Sequence, residues 1–212
     1  MTPQEIETLF ERFEAANPAP QSELVFTNPY TLLVAVVLSA QATDKGVNKA
    51  TKALFEKVTT PQEMLALGED ALMDHIKTIG LYPTKGRNIM ALSCLLVERF
   101  GGQVPQTREA LMGLPGVGRK TANVVLSVAF GQEALAVDTH ILRVSRRLGL
   151  SGATTPDGVE ADLMKVIPKR FLRDAHHWLI LHGRYTCVAR KPKCDVCPVY
   201  DLCSSSEKVF LP

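Results

Sequence analysis

Four cysteines close together in the last part of this 212-residue chain constrain its fold more than any other feature. They form the pattern C-x6-C-x2-C-x5-C from Cys187 to Cys203. In a cytoplasmic chain, thiols at this density indicate a metal site rather than disulfides. Zinc sites favour two C-x2-C pairs and this pattern has one, whereas a four-iron cluster accepts unequal spacings because its ligands sit at spread corners. The pattern therefore favours an iron–sulfur cluster and leaves zinc open.

The sequence shows no sign of membrane insertion or export. The apolar run at 30–40 is about half as long as a bilayer span requires. The N-terminal stretch is acidic and amphipathic, without the basic start and apolar middle of a signal peptide. We therefore expect a soluble, cytoplasmic protein.

The net charge is only +2, but the basic residues are clustered. Between 164 and 193 the only acidic residue is Asp174. Such a segment favours an anionic partner such as nucleic acid, and a solvated basic face is the alternative interpretation. The basic residues of this segment are Lys165, Lys169, Arg170, Arg173, Arg184, Arg190, Lys191 and Lys193.

Start and stop signals along the chain predict an all-α fold. Thr2 and Thr60 each open a capping-box pattern with proline at the first helical position, and Asn28-Pro29 precedes an apolar run. That run is rich in valine and could form a buried strand, but its length and cap favour a helix. No alternating strand–helix series appears. Composition shifts near 131–137 and again at Cys187, and Cys94 is predicted to be a core thiol.

Residues 114–125, LPGVGRKTANVV, combine a glycine-rich turn with the start of a helix. Gly116 and Gly118 leave backbone amides unshielded, so the turn can bind a phosphate at the helix N-terminus. It carries no side chain that reads bases, so it would bind nucleic acid without sequence preference. An ordinary connection between two helices is the alternative.

Two ionisable residues are candidates for catalysis. Lys120 lies in the first helical turn, where the positive end of the helix should depress its pKa and favour a nucleophilic amine. A solvated surface lysine is the alternative. Asp138 is predicted to cap the next helix, and a carboxylate there could also stabilise a cationic sugar or activate the lysine or water. We interpret the histidines as core or surface residues: His140, His176, His177 and His182.

Together these motifs resemble the bacterial endonuclease III family, which are DNA glycosylases and abasic-site lyases of the helix-hairpin-helix superfamily. The resemblance covers nearly the whole chain, and the motifs follow the order of the family. Besides the four-cysteine loop, the matching stretches are LSAQATD (38–44), GLYPTK (80–85), LPGVGRKTAN (114–123), AVDTHI (136–141) and HHWLILHGRYTC (176–187).

The resemblance implies two all-α domains that flank a DNA-binding cleft. The central domain would span 22–132 and contain the helix-hairpin-helix at about 108–128. Residues 1–21 would join 133–212 in a second domain, which would hold one [4Fe–4S] cluster in its C-terminal loop.

The resemblance also implies the site residues. Lys120 and Asp138 take the positions of the catalytic lysine and aspartate. Gln41 matches the glutamine that fills the gap left by an extruded base, and Leu81 matches the residue that wedges into the stack. The DNA-binding set is Gln41, Leu81, Gly116, Gly118, Arg119 and Lys191, and the cluster ligands are Cys187, Cys194, Cys197 and Cys203.

The implied reaction is bifunctional. Lys120 would attack the sugar of a flipped nucleotide, displace an oxidised pyrimidine and form a Schiff base, and β-elimination would cut the strand on the 3′ side. The partner would be double-stranded DNA with an oxidised pyrimidine or an abasic site. We expect a monomer in the cytoplasm, at the nucleoid.

Four alternatives stay open. An adenine glycosylase of the same superfamily would lack the lysine and carry a glutamate within 34–38, where this chain has no acid. A thymine-mismatch glycosylase is closer, and we expect that branch to replace the lysine. A non-catalytic iron–sulfur protein that binds DNA would not need Lys120 and Asp138 together, and a zinc-based binding module would contain no iron.

Overall fold

The computed structural model describes residues 1–209, and these residues form helices and turns without a strand. The all-α prediction is confirmed. One 3-10 turn, Cys194–Val196, follows the last α-helix. The α-helices are α1 Pro3–Ala16, α2 Pro29–Ser39, α3 Asp44–Phe55, α4 Pro61–Leu67, α5 Glu69–Ile76, α6 Tyr82–Phe100, α7 Arg108–Met112, α8 Arg119–Phe130, α9 Thr139–Leu148, α10 Pro156–Val166 and α11 Lys169–Tyr185.

The chain divides into two compact units. Residues Ser22–Gln132, here called the hairpin unit, contain α2 to α8. Met1–Gln21 and the chain from Glu133 onward form the cysteine unit, with α1 and α9 to α11. Within the described part of the chain, no helix is both long and apolar enough to cross a membrane.

Helix α2 forms the core of the hairpin unit. Every side chain from Tyr30 to Leu38 is buried. Each large apolar side chain buried in this way contributes about 1.5–3 kcal/mol relative to exposure. Asn28 accepts the Thr31 amide at 2.9 Å and fixes the start of the helix. The valine-rich run is therefore a helix, as its length and cap predicted, because it packs on all sides against α3, α6 and α8.

The cysteine unit has an aromatic core built from both ends of the sequence. Phe10 of α1 stacks on Phe171 of α11, with ring centroids 5.6 Å apart. Trp178 packs against both rings and donates from Nε1 to the Asn17 carbonyl at 2.9 Å. Arg12 forms a bidentate pair with Asp201, which ties α1 to the segment around the cysteines.

The predicted helix starts are confirmed, and one prediction about a side chain is wrong. Thr2 and Thr60 each complete a capping box with the glutamate three residues on. Cys94 is only half-buried, and its thiol donates to Glu98 Oε1 at 3.1 Å. The buried face of α6 runs through Ile89 and Leu96, and at 100° per residue Cys94 falls outside that stripe.

Candidate functional site

The glycine-rich turn between α7 and α8 is a tight turn fixed by two apolar anchors. The Val117 amide donates to the Leu114 carbonyl at 3.1 Å, and both side chains are buried. Gly116 has φ +78, the third position of a type II turn with Pro115 before it. A β-carbon at Gly116 would also lie 3.0 Å from Asn88 Nδ2. The backbone conformation therefore favours glycine, and the close approach of Asn88 of α6 leaves little room for a β-carbon.

The same turn opens α8, and its two glycines, Gly116 and Gly118, are exposed. Gly118 is the N-cap residue, it brings no side-chain cap, and the first turn of α8 has no acidic residue. The first amides of a helix have no carbonyl partner within it, and their dipoles sum to a partial positive charge. Lys120 is exposed at the second position of this helix, and Arg119 before it is half-buried. This geometry could bind an anion, with an amine directly beside it.

Asp138 caps α9, as its sequence context predicted. Its Oδ1 accepts the Ile141 amide at 2.8 Å, and the side chain is half-buried. Among residues 1–209 this is the one hydrogen bond to the carboxylate, so its second oxygen is available as an acceptor. His176 Nδ1 lies 3.0 Å from the Ala136 carbonyl and holds the approach to the cap.

Helix α11 lies unusually close to the start of α9. A β-carbon at Gly183 would lie 2.9 Å from His140 Cβ and 3.0 Å from Val144 Cγ2. Glycine at this helical position permits a backbone approach that alanine would obstruct. The first turn of α9, which Asp138 caps, is therefore supported directly by α11.

The four clustered cysteines line one cavity. All of them are free thiols and half-buried. Three turn hydrogen bonds follow one another at three-residue intervals: Cys197 to Cys194, Tyr200 to Cys197, and Cys203 to Tyr200, each from amide to carbonyl at 3.2–3.3 Å. This series of turns wraps the chain around the cavity.

The donor set and the charge of the cavity fit an iron–sulfur cluster. Four thiols are the usual ligand set of a [4Fe–4S] cube. The cations Arg147, Lys193 and Lys208 also line the cavity and outnumber its one carboxylate, Glu207, which suits a group that is anionic once four thiolates bind it. Within residues 1–209 no three His, Cys, Asp or Glu side chains converge closely enough to hold a single metal ion.

Arg147 and Arg143 of α9 hold the first part of this loop. Arg147 donates to the Cys187 sulfur at 3.6 Å and to the carbonyls of Val188 and Ala189 at 2.8 and 3.1 Å. Arg143 donates to the Cys187 carbonyl at 3.2 Å. These bonds fix the loop 187–193, at whose exposed turn Lys191 has φ +55.

Burial changes the protonation of two groups beside the cavity. It lowers the pKa of His182 to about 4, so this imidazole is neutral near pH 7. Its Nε2 lies 3.9 Å from Cys197 Sγ. Burial also raises the pKa of the Cys197 thiol to about 11, so the bare cavity favours the protonated thiol, and metal binding must displace that proton.

Gln41 and Leu81, both in the hairpin unit, occupy similar turns. Each is exposed, with φ +55 for Gln41 and φ +60 for Leu81. Each holds the third position of a turn closed by an amide-to-carbonyl bond, Ala42 to Ser39 at 3.0 Å and Tyr82 to Ile79 at 3.2 Å. A left-handed backbone costs a residue with a β-carbon about 1–2 kcal/mol. Strain of this kind clusters at functional sites, and the Leu81 side chain is 61% exposed.

Sequence reasoning missed two residues of the cysteine site. His182 was grouped with core or surface histidines, yet it lies beside Cys197. Arg147 was not among the candidate residues, because nothing local indicates that its partners lie forty residues further along the chain. A buried arginine in a helix with few other buried polar groups is a signal that only the fold reveals.

Two family models and a curated relative all indicate one family of DNA repair proteins. Residues 34–169 match the HhH-GPD superfamily of base excision DNA repair proteins. Residues 187–203 match the iron-sulfur binding domain of endonuclease III. Endonuclease III of Treponema pallidum is 60% identical over 198 residues, which cover 93% of this chain and 94% of the relative.

Solved structures agree with this assignment. A trapped covalent intermediate between endonuclease III and DNA, an estranged-adenine complex, matches with a TM-score of 0.89 and 49% identity, covering 96% of each chain. A thermostable thymine-DNA glycosylase matches with a TM-score of 0.83 and 25% identity, covering 97% of this chain and 98% of the other.

Proposed function

This chain belongs to the HhH-GPD superfamily of base excision DNA repair proteins, and from that premise we propose that it is a bifunctional DNA glycosylase and abasic-site lyase of the endonuclease III type. Its proposed substrates are oxidised pyrimidines and abasic sites in double-stranded DNA. The observation that carries the proposal is the placement of Lys120, exposed in the first turn of α8, directly after the uncapped turn at Gly116 and Gly118.

The glycine-rich turn between α7 and α8, residues 114–118 and here called the hairpin turn, binds the DNA backbone. A phosphate fits the positive end of α8, where the unshielded amides donate without reading a base. Arg119 and the exposed Lys191 add cationic side chains for the backbone. We further propose that the protein acts as a monomer on the nucleoid in the cytoplasm.

Extrusion of the damaged nucleotide precedes the chemistry. A base inside the duplex is inaccessible, so the nucleotide must leave the stack. Gln41 fills the gap in the damaged strand, and the exposed Leu81 wedges between the stacked bases. Their contacts offset part of the unstacking cost, which is a few kcal/mol.

Lys120 carries the covalent steps. Its neutral amine attacks C1′ of the sugar, and the C1′–N bond breaks with its electrons going to the base, which leaves after protonation. Opening of the sugar ring gives a Schiff base between C1′ and Nζ. Loss of a C2′ proton then expels the 3′ phosphate by β-elimination, and water hydrolyses the imine to return the free lysine.

Asp138 assists these steps. The α9 cap holds its carboxylate in one orientation through the Ile141 amide. In that orientation its other oxygen can stabilise the cationic sugar that develops as the base departs, or accept a proton from the lysine. Asp138→Asn would keep a capping oxygen and remove the charge.

Residues 187–203, here called the cysteine loop, bind one [4Fe–4S] cluster through Cys187, Cys194, Cys197 and Cys203. These four thiols would tie four points of the loop to one group, in addition to its turn hydrogen bonds and the contacts from Arg143 and Arg147. The loop then presents its basic residues on a fixed backbone.

Borohydride trapping on a duplex with one abasic site tests the proposal. Native protein should form a covalent adduct with the DNA, and Lys120→Gln should form none. Lys57→Gln, a change at an exposed lysine of the same unit, is the control and should trap like the native protein. If iron-loaded native protein gave no adduct, the lyase would be excluded. A thymine-mismatch glycosylase without lyase activity, which the fold match favours next, would then be tested by base release from a G·T duplex.

A further inference from the structure

Lys85, in the first turn of α6, is a buried lysine whose observed partners are backbone carbonyls. Only 6% of the residue is exposed. Its Nζ donates to the Leu38 carbonyl at 2.9 Å and to the Ala40 carbonyl at 2.6 Å. These carbonyls lie at the C-terminal end of α2, where the helix dipole places partial negative charge. The charge of the ammonium is therefore compensated by the end of a helix rather than by a carboxylate.

The bond to Ala40 acts on the backbone conformation of Gln41. Ala40 has φ −55 and ψ 115, and Gln41 follows with φ +55, so residues 39–42 form a type II turn. Type I and type II turns differ mainly by a flip of the peptide between their two central residues. The Ala40 carbonyl belongs to that peptide, and Lys85 holds it in the type II orientation. The hydrogen bond from Lys85 to the Ala40 carbonyl thereby selects the left-handed conformation of Gln41, which a residue with a β-carbon rarely adopts.

Lys85 also belongs to the turn that carries Leu81. Its amide donates to the Leu81 carbonyl at 3.1 Å, which is the first hydrogen bond of α6. One residue thus bonds to the Leu81 turn through its backbone and to the Gln41 turn through its side chain. Three residues further along, Asn88 contacts the hairpin turn at Gly116. Positions 81, 85 and 88 follow helical spacing, so they share one face of α6.

We propose that Lys85 is a positioning residue that sets the conformation and spacing of the two gap-filling turns, those of Gln41 and Leu81. This inference rests on the proposed function, because it assigns Lys85 to the extrusion step of that reaction. Lys85 touches neither the sugar nor the base. It acts through the peptide before Gln41, and its loss should impair duplex opening while leaving the chemistry of Lys120 intact.

The test compares strand cleavage at an abasic site in duplex and in single-stranded DNA. Single-stranded DNA has no stack to open, so it needs no gap filling. Lys85→Met keeps most of the side-chain volume and removes the ammonium. It should lower cleavage of the duplex by about tenfold, the effect of losing charge-assisted hydrogen bonds, and change single-strand cleavage by less than about twofold. Lys52→Met, at an exposed lysine of α3, is the matched control and should change neither.

Two further variants connect the effect to the turn. Lys85→Arg keeps the charge with a different geometry and should fall between native protein and Lys85→Met on the duplex. In a protein that carries Gln41→Ala, adding Lys85→Met should lower duplex cleavage by less than about twofold, because both changes then act on one interaction. If Lys85→Met folds poorly, judged by its circular dichroism, the arginine variant provides the comparison of the two substrates.

Equal losses on duplex and single-stranded DNA would overturn the proposal, and so would full additivity with Gln41→Ala. A separate readout keeps it independent of the lyase. In the Lys120→Gln background, 2-aminopurine placed opposite the abasic site should brighten on binding when Lys85 is present and brighten less when Lys85 is methionine. Failure of trapping by native protein would refute the proposed chemistry, whereas equal brightening in both proteins would refute the role of Lys85.

Discussion

The hairpin turn and the cysteine loop both present positive groups outward, but different interactions hold them. The hairpin turn is anchored by buried Leu114 and Val117 and by a glycine conformation. The cysteine loop has few buried apolar side chains of its own; arginines that donate to its carbonyls hold it, and the proposed cluster would add thiol ligands. The first depends on packing that the chain supplies alone, whereas the second depends on a bound group. Changes that affect one region should therefore leave the other largely intact.

The largest effect should come from loss of a cluster ligand. Cys197→Ser removes one thiol from the cavity, and structural metal sites contribute on the order of 10 kcal/mol to folding. We expect amide protection in 187–203 to fall by about 100-fold or more, while α2 in the hairpin unit stays protected. Hydrogen exchange with mass spectrometry checks this, and Cys94→Ser is the control because Cys94 lies outside the cavity. Equal loss of protection in α2 would contradict the contrast between the two regions.

The second effect concerns the hairpin turn. Gly116→Ala places a β-carbon at positive φ and 3.0 Å from Asn88. We expect a loss of about 1–3 kcal/mol in the free energy of unfolding of the hairpin unit, weaker DNA binding and unchanged iron absorbance. Gly118→Ala is the control, because Gly118 has φ −92 and no atom lies near the position of the added β-carbon. The unfolding midpoint of this variant should stay close to that of native protein. Chemical denaturation of both variants decides whether the free energy of unfolding depends on the positive φ of Gly116 or only on the loss of a glycine.

The third effect concerns the arginines of the cysteine unit. Arg147→Met leaves the Val188 and Ala189 carbonyls without their donor, and the Glu207 carboxylate loses its partner as well. The free energy of unfolding should fall by about 1–2 kcal/mol, with faster exchange confined to the cysteine unit. Arg146→Met, at the adjacent exposed position, is the control and should cost less than about 0.5 kcal/mol. An effect of similar size from both variants would refute the proposed contribution of the carbonyl contacts.

The smallest effect should come from the exposed pair of Arg12 and Asp201. The guanidinium lowers the pKa of the Asp201 carboxyl below its usual value. A lowered folded-state pKa means that the pair stabilises the fold above the unfolded pKa and loses this effect as pH falls through the folded value. The difference in thermal midpoint between native protein and Asp201→Asn should thus be present at pH 7 and vanish at strongly acidic pH. A difference that persisted in acid, or one insensitive to salt, would argue against an ionic origin.

Local chemistry explains which parts could be predicted from sequence. The caps at Thr2, Asn28 and Thr60 depend on residues within one helical turn, so their patterns were sufficient. The metal site was equally predictable, because its four cysteines lie close together in the sequence. The role of Asp138 as a cap followed for the same reason.

Contacts between distant segments could not be predicted in this way. Lys85 bonds to carbonyls more than forty residues upstream, and any residue type supplies a carbonyl, so no pattern marks the acceptor. Cys94 was expected in the core because its neighbours are apolar, but the face of a helix depends on packing partners rather than on local composition. The roles of Lys120, Gln41 and Leu81 stay predictions that the experiments above address.

The aromatic stacking in the cysteine unit has a consequence for synthesis on the ribosome. Phe10 emerges early, but its partner Phe171 is made 161 residues later. At translation speeds of about 5–20 residues per second, the apolar face of α1 waits roughly 10–30 s for that partner. Meanwhile the hairpin unit is a contiguous segment that can fold first. Chaperone capture of nascent chains should therefore centre on α1, and its release should follow the emergence of α11.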